Sequence, residues 1–299
     1  MKRIINIALL SALSLCFSGR AQAQSVDEPV AEYGYPGVAF NNLSTDTVRI
    51  NELLSEGEAA SLQSPGARVA FFGKKFLGTP YVAHTLEGDE ELLRINLDGL
   101  DCMTFVETAA ALAQTLGEGR TSWRDFVQNL EGLRYRNGEM NGYASRKHYV
   151  CDWIVDNVYR GNVTDAVKLF PREAYMVKTI DFMSRHADLY AQLSDSATLG
   201  AIKAIENGYV NHRFPYLKGS WLGAKEVKRC FRDGDLVAFM CSTPGLDVSH
   251  WGMIIMDEKG EPHVLHASMS GGKVVLSDVS LYDFVKRNNF PGIRVVRLR

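Results

Sequence analysis

Cys102 is the residue from which a chemistry can be argued. It follows Asp101 and opens a run in which Met103, Val106, Ala110, Ala113 and Leu116 recur at three- and four-residue steps. Asp101 is a good N-cap, its carboxylate able to accept from the amides of Met103 or Thr104. The spacing predicts a helix with Cys102 in its first turn, where unpaired N–H groups and the helix dipole favour an anion. A thiolate is such an anion, and at such sites a cysteine pKa falls from ~8.5 into the range ~3.5–7.5. This is the setting of a cysteine nucleophile. It is equally the setting of a small buried apolar residue on a core helix, so the reading needs a base.

Two of the seven histidines can supply one. His250 opens a strand-like run that continues Trp251-Gly252, and His266 lies near the end of the next run. A tight turn at Lys259-Gly260 would pair these strands antiparallel and set the start of one beside the end of the other. The two imidazoles then become neighbours, one as base and the second orienting it. A metal held by His250, His266 and Cys102 is the rival use of the same side chains. His263 and His266, three apart on a strand, point to opposite faces and make a poor ligand pair. Neither H-E-x-x-H nor Cys-x-x-Cys occurs, and there is no P-loop or dinucleotide fingerprint, so no metal and no cofactor is expected.

The rest of the chain must position these groups. Lys2 and Arg3, the largely apolar stretch Ile4–Phe17 and Ala21-Gln22-Ala23 read as a signal peptide over residues 1–23, cleaved after Ala23. The stretch is shorter than the ~20 residues of a membrane span. Leu13-Ser14-Leu15-Cys16 resembles a lipobox, but Leu15 is too large for its position, so export to the periplasm without lipidation is expected. Three of the 33 basic residues (Lys2, Arg3, Arg20) lie in that segment, leaving 30 against 35 acidic ones and a formal charge of −5. Such a chain has no electrostatic reason to bind nucleic acid, and nothing after residue 23 is long and apolar enough to cross a bilayer.

Residues 24–44 read as a leader or linker. Helices are expected over Asp46–Leu62, from Ser64-Pro65 to Leu77, over Trp123–Leu130, Tyr149–Tyr159 and Asp181–Leu193. Gly78-Thr79-Pro80-Tyr81 makes a turn that fixes Tyr81 at a defined place. Strands are expected over Asp235–Cys241, Trp251–Asp257, His263–Ser268, Lys273–Ser277 and Ile293–Leu298, with a short helix at Ser280–Arg287 before the last. Helices followed by an antiparallel sheet make an α+β fold, one catalytic domain over 45–299 with a largely helical insert at about 122–231. Cys102, Cys151, Cys230 and Cys241 survive cleavage. Cys230 and Cys241 flank one strand and could form a disulfide or stay buried and unpaired.

Gly78-Thr79-Pro80-Tyr81, Leu100-Asp101-Cys102, Gly234-Asp235-Leu236-Val237, Ser249-His250-Trp251-Gly252 and Leu265-His266-Ala267-Ser268 occur in a fixed order. The pattern resembles the NlpC-type cysteine peptidoglycan hydrolases, a circularly permuted papain-like fold. It is more closely similar to the branch first catalogued as a domain of unknown function and later described as N-acetylmuramoyl-L-alanine amidase-like. The resemblance implies Cys102 as nucleophile, His250 as general base, His266 as orienting residue and Tyr81 as an oxyanion or substrate contact. Met103-Thr104 replaces the commoner Ser-Gly after the cysteine, as in the amidase-like branch.

The implied substrate is peptidoglycan or a muropeptide, cut between N-acetylmuramic acid and L-alanine. Arg146 could then grip a stem carboxylate, with His148 beside it and Trp153 stacking a sugar. Their alternatives are an ion pair, a hydrogen-bonded loop histidine and a core tryptophan. Other readings of the whole are a stem-peptide endopeptidase cutting after D-glutamate, a peptidoglycan-binding module without catalysis, and a lipid acyltransferase.

Overall fold

The computed structural model describes residues 35–299. The expected signal peptide, its cleavage site after Ala23 and Cys16 lie outside the described residues.

Part of the expected leader is structured. Val38–Phe40 forms strand β1, buried throughout and paired in parallel with β2 (Leu93–Ile95). Three apolar residues bounded by Gly37 gave little periodicity; a partner 55 residues downstream makes them a strand. Asn42 caps α1 (Leu43–Ala59) by accepting from the Thr45 amide, three residues ahead of the expected start. Ser64 caps α2 (Pro65–Lys75) and Pro65 takes the first turn, where its missing N–H costs nothing. Next come α3 (Cys102–Gly117) and α4 (Trp123–Arg134).

The insert departs from expectation. It carries α5 (Val150–Tyr159), but also strands β3 (Val163–Asp165), β4 (Ala174–Lys178) and β5 (His212–Lys218). The expected helix Asp181–Leu193 is only α6 (Phe182–Arg185) followed by two 3₁₀ turns. The long helix lies beyond it, α7 (Ser196–Asn207), capped by Asp195 on the Thr198 amide. A short α8 (Lys225–Lys228) precedes the C-terminal sheet strands.

Those strands are β6 (Leu236–Met240), β7 (Val248–Met256), β8 (Pro262–Ser268), β9 (Lys273–Ser280) and β10 (Gly292–Leu298), with α9 (Leu281–Arg287) before the last. The sheet runs β4-β5-β10-β6-β7-β8-β9, every pair antiparallel, and β3 joins one end of β10. The insert therefore extends the sheet instead of standing off it.

Mixed α+β architecture follows from how the faces are covered. Helices α1 to α4 bury Ile50, Phe72, Phe105 and Phe126 with Trp251, Met253 and Leu265 of one sheet face. The other face, with Phe239, Ile254 and Val264, is covered by Val227 of α8 and by Leu281 and Val285 of α9. Close approach is enforced where α2 meets the sheet: a Cβ on Gly234 (φ +75°) would lie 2.1 Å from the Gly66 carbonyl oxygen. Among the described residues no helix is long and apolar enough to cross a membrane.

Candidate active site

The helix that Cys102 opens begins as its sequence predicts. Asp101 Oδ1 accepts from the amides of Met103 (2.9 Å) and Thr104 (2.8 Å), and the Asp101 amide donates to Thr104 Oγ1 at 2.9 Å. This is a complete capping box, with Thr104 in the place of the usual Glu or Gln. From Phe105 to Ala113 the helix is buried on all sides. The one acid inside it, Glu107, pairs with buried Arg134 of α4 at 2.7 Å. Such a pair contributes less by its net attraction than by what its loss would leave, an unpaired charge in the core.

The histidines meet through the β7–β8 pairing. Met253 faces Leu265 in that ladder, which brings the start of β7 beside the end of β8. His250 Nε2 and His266 Nδ1 are 2.8 Å apart, their rings perpendicular at 4.8 Å between centroids. Gly252 makes room: a Cβ there would stand 2.9 Å from the Leu265 carbonyl oxygen and 3.1 Å from His266 Cβ. Phe239 stacks on His250 at 5.7 Å, and Phe284 of α9 stands edge-on to His266 at 5.1 Å. Burial in this aromatic box, with the neighbouring imidazole adding to it, lowers His250 to about 3. Burial alone lowers His266 to about 4, against the Ala267 backbone, which pulls it back up. Both rings are neutral at pH 7.

Tyr81 is held from two sides. Its amide donates to the Gly272 carbonyl at 2.9 Å, and it bridges in parallel to Leu100, two residues before Cys102. Burial raises the Tyr81 phenol, and the nearby Cys102 and Asp101 raise it further, so its O–H stays a donor. Tyr81, Cys102, His250 and His266 line one cleft of about 450 Å³ together with Phe284 and Arg287.

The thiol itself departs from expectation. Burial first, then the Asp101 carboxylate, pushes Cys102 up to about 12, although the backbone N–H groups of Trp251, Cys102 and Met103 pull it down. Desolvation outweighs the helix start. Among the described residues Cys102 Sγ makes no hydrogen bond to either imidazole, so the resting pair is a neutral thiol beside a neutral ring.

The three insert candidates do not line the cleft. Arg146 is buried and pairs with Glu87 (3.0 Å) and Glu91 (3.3 Å) from the loop before α3. His148 Nε2 bonds the Tyr143 carbonyl at 2.9 Å, and burial lowers it to about 3. Trp153 is fully buried and packs edge-on against Trp251, 5.3 Å between centroids. Each follows its structural alternative. Cys230 and Cys241 are both free thiols, as are Cys102 and Cys151. Cys241 Sγ turns instead to the Leu246 carbonyl, 3.4 Å away.

Sequence reasoning passed over Gly252, Phe284 and Arg287. Nothing in Ser249-His250-Trp251-Gly252 as a sequence says why the glycine is needed. The two α9 residues belong to a short helix whose sequence does not say which face meets the cleft.

A helix-borne cysteine and a strand-borne histidine pair line one cleft of an α+β chain. Residues 71–293 match the AmiA-like family, described as N-acetylmuramoyl-L-alanine amidase-like, and the chain belongs to that family. It is similar to a Bacteroides uniformis N-acetylmuramoyl-L-alanine amidase, 36% identical over 79% of this chain and 99% of that one, with a TM-score of 0.73. A Bacteroides fragilis structure provisionally described as a xylanase is also 36% identical, over 76% of this chain and 99% of its own, with a TM-score of 0.69. A Legionella pneumophila protein of family DUF1460, 22% identical over 86% and 95% with a TM-score of 0.62, is alike in fold. No curated protein matches the chain.

Proposed function

We propose that this protein is a cysteine amidase that cuts the bond between the lactyl group of N-acetylmuramic acid and L-alanine in peptidoglycan or its fragments. The observation that carries the reading is the single cleft shared by Cys102, Tyr81, His250 and His266 in a chain of the amidase-like family. His250 Nε2 is taken up by His266, which leaves Nδ1 to accept the thiol proton. His250 then donates through Nε2, and His266 carries its own proton on Nε2. Because both partners rest neutral, proton transfer accompanies attack instead of preceding it.

As sulfur bonds to the carbonyl carbon, the C=O electrons move onto oxygen. The Cys102 N–H, without an intrahelical acceptor, and the Tyr81 hydroxyl are the donors offered to that oxyanion. Collapse expels the alanine nitrogen, which takes the proton from His250. Water then hydrolyses the thioester, with His250 again as base.

The xylanase description of one relative finds little support here. Glycoside hydrolysis needs two carboxylates flanking the bond, and Asp278 is the sole carboxylate among the cleft-lining residues. We further infer that the fold is a circularly permuted papain-like one, that residues 1–23 are a signal peptide for export to the periplasm, and that residues 45–299 are one catalytic domain.

Mass spectrometry of a soluble disaccharide-tetrapeptide incubated with the native protein and with Cys102→Ala tests the reading. Free tetrapeptide and bare disaccharide, absent with the variant, are expected. Release of a dipeptide or tripeptide would move the assignment to an endopeptidase, and no cleavage at all would overturn catalysis.

A further inference from the structure

The cleft contains one cation. Arg287, the last residue of α9, lines it, and among the described residues its guanidinium makes no ion pair and no hydrogen bond. The rest of the wall is neutral apart from Asp278, and much of it is serine: Ser249, Ser268, Ser270 and Ser277. Exposed and unpaired, Arg287 borders a largely neutral cleft, and its fork can hold a planar anion through two N–H donors.

Its place relative to the reacting atoms can be bounded. Phe284 touches the ring of His266 at 5.1 Å, and Arg287 lies three residues further on the same helix face. That advance is about 4.5 Å along the axis. An extended peptide covers about 7 Å in two residues. A peptide that runs past His266 along α9 therefore meets Arg287 within its first few residues.

Resting on the amidase reading, we propose that Arg287 is the specificity-determining cation of the cleft and binds a carboxylate of the leaving peptide. The candidates are the free carboxylates of its second and third residues. The structure thus moves to α9 the role that sequence reasoning gave Arg146, whose charge is consumed by Glu87 and Glu91.

Binding is measured by calorimetry in the Cys102→Ala background, so that cleavage plays no part. The ligands are a disaccharide-tripeptide with free carboxylates, the same molecule amidated at the second residue, and the same amidated at the third. Adding Arg287→Gln should weaken the free acid about 10- to 100-fold and leave one of the two amides nearly unaffected. Arg287→Lys, which keeps the charge and loses the fork, should fall between. Insensitivity of the second-residue amide supports that position, and insensitivity of the third-residue amide supports the other. Equal weakening of all three ligands, no weakening of any, or failure of all three to bind overturns the proposal. A protein that binds with this discrimination but does not cleave would instead refute the amidase reading alone.

Discussion

Replacing Trp153 by alanine separates a core strut from a sugar platform. The indole is fully buried and packs edge-on against Trp251 at 5.3 Å. Trp251 in turn follows His250 on β7 and directs its backbone N–H at the Cys102 sulfur. Removing a buried tryptophan costs roughly 3–5 kcal/mol, of which the ring pair accounts for about 0.5–1.5 kcal/mol. At roughly 2–4 °C per kcal/mol for a chain of this size, Tm should fall by about 6–20 °C. Differential scanning calorimetry reads that directly. Muropeptide hydrolysis, assayed well below the variant's Tm, should then show kcat lowered by up to about 100-fold as β7 relaxes, with KM little changed. Trp153→Phe keeps most of the ring contact and deletes an indole N–H that has no partner, so it should cost no more than about 2 kcal/mol. A Trp153→Ala protein with near-native Tm and a tenfold higher KM would refute the strut and restore the platform.

Two further outcomes follow from the titrating groups. His148, His250 and His266 are held below their ordinary value, to about 3, 3 and 4. Below about pH 6.5 the unfolded chain takes up protons at these three rings that the folded one refuses, so they make stability fall with pH, offset in part by Asp46, which burial raises to about 6. Urea unfolding followed by tryptophan fluorescence from pH 7 to pH 5 should show it. A flat profile would contradict the burial of these rings, and His148→Gln should reduce the slope by about one proton. Asp101 both caps α3 and raises the Cys102 thiol. Asp101→Asn keeps an acceptor oxygen and removes the charge, so iodoacetamide should label Cys102 faster at pH 8; unchanged or slower labelling would count against the electrostatic argument.

How much of this could be read in advance depended on range. The start of α3 is written in four consecutive residues, Asp101 to Thr104, and its cap formed as read. The histidine pair followed from one tight turn and strand alternation. Arg146 could not be placed, because its partners Glu87 and Glu91 lie in a loop whose path no local rule gives. Strand β3 is three residues long and exists through pairing with β10, more than 130 residues later. The alternation in β4, with Tyr175 and Val177 turned out, was available in the sequence and was outweighed by the helical character around it. The thiol went the other way for a different reason. Local geometry predicts what the helix start offers, while desolvation depends on what the rest of the chain brings over it.

The position of β10 bears on how the molecule is made. Residues 292–298 lie between β5 and β6 and also hold β3, so three strands from earlier in the chain share one late partner. During synthesis each of those strands emerges with an open edge, and none can close the sheet until β10 follows. Folding is in this sense gated by the last strand: a nascent chain halted before residue 292 holds Cys102 and both histidines but no finished sheet to carry them.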